Sequence, residues 1–472
     1  MTYIPVHYQH VVVSGTPWER GTSHGTQARS KIQTNVNRYK TSSSLPPRED
    51  CVRYINESYL PAIQALFPDG LEEMKGIASG ALVELQDVLL LNARYDLARL
   101  TGHKVGECTS VSYLGPDGSA IVAQNWDMSA WLHDLDTIIV LESHMNPTDE
   151  PDSATSSGPR RIIALTEAGQ LARSGMNSRG LGLCANSLWT SEDGIPFRPC
   201  LPHSLARSMY LHCPNFAAGL KAISTFPRHV SGNLMVASLD LAMDIELTPS
   251  RKYTLHPEAV DIGHGPDNCN LLITHANHYN HPAMTHADIS GPIDTYPGGS
   301  SLFRDKRLAQ LLKTHLRYSM KDLALSRIGE QKLQVSTTKG LSPPATPPVE
   351  EHNARRIEAV DRLNLAPEDQ PDINLKILSS SQQISQHVLT VKDLKTAFSD
   401  HASYPRSLCE HAEKGVERYG ATSSGDQTMT VACVIYDLRE GEMHVSTGNP
   451  CQGEHAWQKF AIKMEVATKS NI

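Results

Sequence analysis

The chain has 472 residues, with 43 Lys and Arg against 51 Asp and Glu, and its formal net charge is −8. An acidic balance disfavours nucleic acid as a partner, because a phosphate backbone is bound by clustered cations. No apolar run approaches about 18 residues, the length typical of a membrane span, and the start of the sequence lacks the features of a secretory signal. Nine cysteines without regular spacing predict free thiols rather than a disulfide framework. We therefore expect a soluble intracellular protein.

The first 280 or so residues are predicted to pass from helices to short strands. A strand at 10–14 precedes a mostly helical stretch, with helical apolar spacing over 71–78 and a helix over 85–100. A further helix is predicted over 202–210. Runs of four to six residues bounded by turn formers predict strands at 109–113, 119–123, 137–141, 161–165, 181–185, 234–238, 244–247 and 270–274.

The last third of the chain changes character. A helix over 302–316 is followed, at about 331–386, by a polar, proline-rich stretch that cannot offset the entropy of ordering, so we expect a disordered insertion. A helix at 392–398 and a hairpin of 429–436 with 442–446 close the fold. The pattern predicts an α+β protein whose long antiparallel sheets carry helices on both faces.

Cys108 is the centre of the most informative stretch. Pro116-Asp117-Gly118 predicts a hairpin turn, which would place residue 125 opposite Cys108, within one position of register. Asn125-Trp126-Asp127 would then lie beside the thiol, an arrangement that suits a nucleophile. A distant histidine could serve as base. The alternative is the cysteine's own α-amine, whose pKa is close to neutral but which exists only if the chain is cut before Cys108.

A run of three histidines suggests a weaker alternative. His275, His278 and His281 have a His-x-x-His-x-x-His spacing, but no carboxylate or cysteine partner is evident and Tyr279 to Pro282 is typical of a loop. A histidine-liganded metallohydrolase is therefore the lesser hypothesis, and we expect no metal.

The order of several short motifs resembles the cysteine N-terminal nucleophile hydrolases of the isopenicillin N acyltransferase type. The resemblance spans nearly the whole chain outside the insertion. The motifs are Gly15-Thr16-Pro17-Trp18-Glu19-Arg20-Gly21, Glu107-Cys108-Thr109-Ser110, Gln124-Asn125-Trp126-Asp127, Gly175-Met176-Asn177, Ser231-Gly232-Asn233, Ala276-Asn277-His278, Ser300-Ser301 with Arg304, Asp400-His401 and Asn449-Pro450-Cys451.

This resemblance implies a four-layer αββα sandwich and self-cleavage between Glu107 and Cys108. The products would be segment 1–107 and catalytic body 108–472, which stay associated as a heterodimer. Cys108 would be both the self-processing residue and the catalytic nucleophile, with its freed amine as base. Asp127 would hold that amine. Asn233 and the backbone N–H near Asn186 would bind the oxyanion, and Arg304 would lower the thiol pKa. Family members carry Gly before the cysteine, where this chain has Glu107.

The resulting hypothesis is an enzyme that forms or cleaves amide bonds through an S-acyl-Cys108 intermediate. The resemblance favours an N-acyltransferase of small-molecule metabolism that uses acyl-CoA as co-substrate, with no cofactor and with a small amine as acceptor. The alternatives are an amidohydrolase of N-acyl amides or small peptide-like compounds and a non-catalytic scaffold for acyl ligands. Family members carry a peroxisomal tail, which Ser470-Asn471-Ile472 matches poorly, so a cytoplasmic location is expected.

Overall fold

The structure is a computed structural model that describes residues 7–102, 107–145, 158–196, 199–260, 269–285, 299–317, 387–412 and 427–465. The strands are β1 (Gln9–Gly15), β2 (Glu107–Leu114), β3 (Ala120–Ser129), β4 (Ile138–Met145), β5 (Arg161–Glu167), β6 (Ser174–Asn177), β7 (Gly182–Cys184), β8 (Gly232–Ala237), β9 (Ala242–Leu247), β10 (Lys252–Leu255), β11 (Glu258–Ala259), β12 (Leu271–His275), β13 (Thr428–Asp437), β14 (Glu442–Ser446) and β15 (Trp457–Ala461). The helices are α1 (Pro17–Gln27), α2 (Arg29–Lys40), α3 (Arg48–Tyr54), α4 (Leu60–Leu66), α5 (Pro68–Ala81), α6 (Leu85–Ala98), α7 (Trp131–Asp134), α8 (His203–Leu211), α9 (Phe216–Thr225), α10 (Pro282–Thr285), α11 (Gly299–Arg317) and α12 (Val391–Phe398).

The strands form two sheets. One has eight strands in the order β1-β4-β5-β6-β7-β8-β9-β10, and the other has seven in the order β11-β12-β2-β3-β13-β14-β15. Every pair is antiparallel except β1 with β4, which run parallel. The expectation of antiparallel sheets is thus confirmed apart from the β1–β4 edge. More than 100 residues separate β1 from β4, so no hairpin constrains the two strands to run antiparallel.

Three apolar clusters define four layers. Alternate residues of the two sheets face each other, as Val140 of β4 and Val434 of β13 do within one buried cluster. The opposite face of the eight-stranded sheet packs against helices α2–α6, α8 and α9, as Leu141 and Leu91 illustrate. The opposite face of the seven-stranded sheet packs against α11 and α12. The architecture is therefore the predicted αββα sandwich.

Glycines let two N-terminal helices approach closely. A Cβ added at Gly21 of α1 would lie 1.9 Å from the carbonyl oxygen of Glu73, and one added at Gly80 of α5 would lie 2.2 Å from that of Thr22. A buried ion pair joins the same helices, with Arg20 Nη2 2.6 Å from Glu73 Oε2. Since β1 also pairs with β4, the segment before Cys108 is built into the same core as the rest of the chain.

The elements predicted from the sequence are present within the described residues, with boundary shifts. The sequence analysis missed helix α9, which Asn215 caps by accepting a hydrogen bond from the Ala218 N–H at 2.9 Å. It also missed the short strands β6, β10 and β11 and strand β15 at a sheet edge. The predicted insertion at 331–386 lies outside the described residues. Among the described helices, none has the length and hydropathy needed to cross a membrane.

Candidate active site

The β2–β3 hairpin brings Cys108 and Asp127 together. Cys108 lies opposite Trp126, and Glu107 lies opposite Asp127, so the register differs by one residue from the central expectation and falls within the predicted range. Cys108 is 1% exposed and Asp127 is fully buried. The hairpin turn at Pro116 to Gly118 thus carries a carboxyl group to the buried thiol.

Three polar contacts hold Cys108. Its Sγ accepts a hydrogen bond from Arg173 Nη2 at 3.3 Å, and its backbone N–H donates to Asn277 Oδ1 at 2.8 Å. Its carbonyl oxygen accepts from Arg304 Nη1 at 2.6 Å. The nitrogen that would become the α-amine therefore already has a side-chain acceptor, and the thiol has a cationic neighbour.

Burial controls the ionisation of the thiol. It raises the pKa of Cys108 above its ordinary value, the Arg173 guanidinium opposes that rise, and the Asp127 carboxyl adds to it. A thiol with a raised pKa is protonated at neutral pH and needs a base before it can attack.

Arg304 links both sides of the predicted cleavage site. This fully buried side chain lies 3.2 Å from Glu107 Oε2 and donates to Thr109 Oγ1 at 2.8 Å and to Asn277 Oδ1 at 2.9 Å. Ser300 Oγ donates to the same Glu107 carboxylate at 2.6 Å. Glu107 is thus anchored by a charge-assisted bond, which fixes the orientation of the 107–108 peptide.

Asp127 lies in an acidic, buried environment. Its Oδ1 accepts a hydrogen bond from Thr430 Oγ1 at 2.6 Å, and its Oδ2 has no hydrogen-bond partner within the described parts of the chain. Burial and then the nearby Glu410 carboxylate raise the pKa of Asp127 well above its usual range, and Arg304 opposes them. The carboxyl group is placed to accept a proton or a new hydrogen-bond donor.

The two predicted oxyanion donors are engaged with other groups in the intact chain. Asn233 Nδ2 donates to both carboxylate oxygens of Asp244, at 2.8 and 2.7 Å. The Asn186 backbone N–H donates to the Asn233 carbonyl oxygen at 3.2 Å. The Asn186 side chain lines the same cavity as Cys108, whereas Asn233 lies behind it and accepts from Asn186 Nδ2 at 3.1 Å.

The three histidines of the 275–281 run have separate surroundings, and His281 Nδ1 accepts a hydrogen bond from the Ala283 N–H at 3.2 Å. His275 Nε2 lies 3.0 Å from Glu246 Oε1 and 3.7 Å from Asp244 Oδ2, while His278 Nδ1 bonds to Ser301 Oγ at 2.7 Å. Burial lowers the pKa of His275, but Asp244 and Glu246 raise it more, to about 9. His275 is therefore a cation at neutral pH, whereas burial raises the pKa of the neighbouring Asp244 to about 7. These contacts favour an ion-paired cluster behind Asn233 over a three-histidine metal site.

A cavity of about 50 Å³ opens beside the thiol. Four arginines line it together with Cys108: Arg94, Arg99, Arg173 and Arg207. Arg94 pairs with Glu167, and Arg99 lies 4.0 Å from Asp193. Arg173 and Arg207 have no carboxylate within ion-pair distance in the described ranges. Burial, followed by the charge of Arg173, lowers the pKa of Arg207 to about 10. The nearby Asp96 carboxyl group opposes this decrease, so the wall is rich in arginines but has acidic neighbours as well.

The sequence analysis placed Cys108, Glu107, Asp127 and Arg304 in one cluster, as the structure does, but gave no role to Asn277, Arg173 or Arg207. Asn277 was visible in a motif that carried the resemblance. Arg173 follows β5 in an ordinary loop and Arg207 lies on α8, and nothing in their local sequence indicates a cavity.

Comparisons with known proteins agree with the resemblance described from the motifs. The chain is 26% identical over 315 residues to the acyl-coenzyme A:6-aminopenicillanic-acid-acyltransferase 40 kDa form of Emericella nidulans, covering 63% of this chain and 82% of the relative. No family model matches the chain.

Solved structures give a weaker likeness. A variant of conjugated bile acid hydrolase from Clostridium perfringens is 11% identical and covers 77% of this chain and all of its own, with a TM-score of 0.34. Penicillin V acylase from Agrobacterium tumefaciens is 11% identical and covers 72% of this chain and 83% of its own, with a TM-score of 0.32. At these TM-scores the likeness supports no conclusion about the site.

Proposed function

We propose that the chain is a self-processing enzyme that transfers an acyl group to an amine through an S-acyl-Cys108 intermediate. The observation that carries this proposal is the position of the Cys108 thiol, in an arginine-lined cavity with a guanidinium on its sulfur and an acceptor on its backbone nitrogen. The relative's name supplies the reaction class, an acyl-coenzyme A donor and an amine acceptor.

Self-processing uses groups already in contact. Cys108 Sγ adds to the carbonyl carbon of Glu107, the bond from that carbon to the Cys108 nitrogen breaks, and the thiol proton ends on the departing nitrogen. Water then hydrolyses the thioester and frees the thiol. Arg304 and Ser300 hold Glu107 during this step, and Asn277 holds the nitrogen. Because β1 and helices α1–α6 stay packed in the shared core, the two fragments remain associated.

Acyl transfer then takes place in two steps, each a nucleophilic attack on a carbonyl carbon. The new α-amine takes the thiol proton while Sγ attacks the donor carbonyl and expels the thiol of coenzyme A. The amine acceptor attacks the resulting thioester, and Cys108 leaves as a thiol. The α-amine lies where Asn277 Oδ1 accepts from the backbone nitrogen now, and Asp127 supplies a carboxyl group nearby.

The arginines of the cavity favour an anionic substrate. Arg173 and Arg207 are buried, and a ligand with a carboxylate or phosphate could form the direct ion pair that no carboxylate of the described residues forms with them. We infer that the donor or the acceptor carries such an anionic group close to the reacting carbon. An uncharged amide would form no such ion pair.

Intact mass and denaturing electrophoresis test the proposal without knowledge of the substrate. The purified wild-type chain should give two fragments of about 12 and 40 kDa by share of length, still co-eluting in native buffer. Cys108→Ala should stay uncut. Cys184→Ala is the matched control, since Cys184 is equally buried and is also influenced by Arg173 but does not line the cavity. An intact Glu107–Cys108 bond in the wild type, or cutting of Cys108→Ala, would contradict self-processing.

The acyl-enzyme is tested on the processed protein. Incubation with an acyl-CoA should add one acyl mass to the large fragment, and hydroxylamine should remove it, as expected of a thioester. Addition of 6-aminopenicillanic acid should discharge it faster than buffer alone. Equal discharge in buffer would replace transfer by hydrolysis, the amidohydrolase alternative. A processed enzyme that never takes up the acyl group would support the non-catalytic scaffold.

A further inference from the structure

A second cluster of reactive side chains lies outside the candidate active site. His401, Cys409, His411 and Cys451 place one ligand atom each within 4.8 Å of all the others. His411 Nε2 is 3.1 Å from His401 Nε2, 3.4 Å from Cys409 Sγ and 3.5 Å from Cys451 Sγ. None of these four side chains has a part in the proposed acyl transfer.

We propose that these four residues form a tetrahedral Cys2His2 site for a structural Zn²⁺ ion. Zinc bonds of about 2.0–2.1 Å to nitrogen and 2.3 Å to sulfur give tetrahedral edges of about 3.3 Å between two nitrogens and about 3.6 Å between nitrogen and sulfur. The three distances from His411 follow that order and differ from these values by about 0.2 Å. Two thiolates neutralise the ion, which suits ligands that are mostly half-buried or buried.

The backbone forms the cluster from two loops. Three ligands lie in the loop after α12, where the Cys409 N–H donates to the Asp400 carbonyl oxygen at 3.1 Å and the His411 N–H donates to that of Pro405 at 3.2 Å. The fourth, Cys451, lies between β14 and β15. A bound ion would therefore join the loop after α12 to the edge of the seven-stranded sheet.

A neighbouring amide supports the thiolate form of the site. Asn449 Nδ2 donates to Cys409 Sγ at 3.4 Å and to the Glu410 carbonyl oxygen at 2.7 Å. Groups that donate to metal-bound ligands orient them and tune the metal, so Asn449 would be a positioning residue of the site. With all four protein ligands in place no coordination position is left for water, which makes the site structural rather than catalytic.

The site borders the carboxyl group beside Cys108. Glu410, which lies between two ligands, donates from its N–H to Thr430 Oγ1 at 2.9 Å, and Thr430 Oγ1 donates to Asp127 Oδ1 at 2.6 Å. Leu408 accepts a hydrogen bond on its carbonyl oxygen from Asn125 Nδ2 at 2.7 Å. Zinc would thus hold the loop that supports Asp127, and its removal should slow processing as well as lower the melting temperature.

Elemental analysis of the full-length protein, purified without chelator or affinity metal, tests the site. We expect about one zinc per chain, and Cys409→Ser with Cys451→Ser should reduce it at least tenfold. Cys213→Ser and His455→Gln are matched controls, since Cys213 is half-buried and His455 lies four residues after Cys451, outside the cluster. Both should keep full zinc content. Zinc content that is unchanged in the double variant would overturn the proposal.

A measurement on the wild-type protein covers the case in which the double variant does not fold. Zinc stripped with a chelator and replaced by Co²⁺ should give the intense visible bands of a tetrahedral ion and a thiolate charge-transfer band in the ultraviolet. Octahedral Co²⁺ spectra, no uptake of either metal, or a Cys409–Cys451 disulfide in the metal-free purified protein would each overturn the site. The test is independent of Cys108, because it reads metal content and spectrum rather than turnover.

Discussion

Asn277 offers the sharpest test of how the proposed base is held. Its Oδ1 accepts from the Cys108 nitrogen at 2.8 Å, so in the processed enzyme it would orient the α-amine, which becomes charged when it takes the thiol proton. A hydrogen bond to a charged group contributes about 1.5–3 kcal/mol. At about 1.4 kcal/mol per factor of ten, Asn277→Ala should lower kcat about 10- to 150-fold.

Asn277→Asp should act differently, because it keeps the acceptor and adds charge. A carboxylate within about 4–6 Å favours the protonated amine and raises its pKa by about 1–3 units. The base works only when neutral, so the acidic limb of kcat/KM should move to higher pH in Asn277→Asp. The neighbouring Arg304, 2.9 Å from Asn277 Oδ1, opposes this shift and places it at the low end of that range.

The assay is a pH–rate profile on processed enzyme, corrected for the folded fraction by active-site titration of the Cys108 thiol. Asn270→Ala is the control, since Asn270 is also buried, precedes the same strand β12 and accepts from Tyr113 at 2.6 Å away from the thiol. It should lower the melting temperature without moving the profile. The role of Asn277 in orienting the α-amine would be refuted by two results together. These are a kcat of Asn277→Ala within twofold of the wild type and an acidic limb of kcat/KM that stays at the same pH in Asn277→Asp.

Three further predictions follow from the surroundings of the thiol. Arg207→Met should raise KM for a carboxylate-bearing substrate more than tenfold and leave KM for its methyl ester nearly unchanged; equal effects on both would exclude a charge contact. The pKa of His275 is about 9 in the folded chain and about 6.5 in the unfolded chain, so protonation of His275 contributes on the order of 3 kcal/mol to the free energy of unfolding. This contribution is complete below pH 6.5 and is lost as the pH rises through 9. In denaturant titrations, the difference in free energy of unfolding between the wild type and His275→Gln should therefore fall over that pH range. Asn233→Ala should lower kcat about 10²–10³-fold if the Asn233 amide leaves Asp244 to bind the oxyanion, and it should lower the free energy of unfolding by about 1–3 kcal/mol. A decrease in kcat of less than tenfold would mean that Asn233 only donates hydrogen bonds to Asp244.

The sequence is enough to predict the hairpin because local rules fix it. Pro116 to Gly118 sets the turn, and the strand period then decides which residue faces Cys108. Helix α12 is similarly local, since Thr390 and Asp393 form a reciprocal cap at its start. Such features depend on neighbours along the chain, and the sequence displays them directly.

The arginine wall and the Cys2His2 cluster could not be predicted in this way. Arg173 and Arg207 meet only after α8 packs on the eight-stranded sheet, and Cys451 joins His411 from 40 residues further along the chain. The His-x-x-His-x-x-His run, the lesser hypothesis from the sequence, shows the same limit, because a spacing of three along a strand and loop leads His275 to Glu246 and His278 to Ser301. Ligand sets assembled from separate loops leave no periodic signal.

Electrostatics explain why the site suits a newly formed amine. In the intact chain Asp127 and Glu410 are both buried, and the Glu410 carboxylate adds to the cost of ionising Asp127, while the Arg304 guanidinium lowers that cost. Cleavage before Cys108 would convert an amide nitrogen, which cannot be charged, into an amine that can. This would add a potential cation near the buried Asp127 carboxyl group, while the thiol keeps its contact with Arg173. The arrangement would therefore separate the two roles at one residue, with the base near Asp127 and the nucleophile beside the guanidinium.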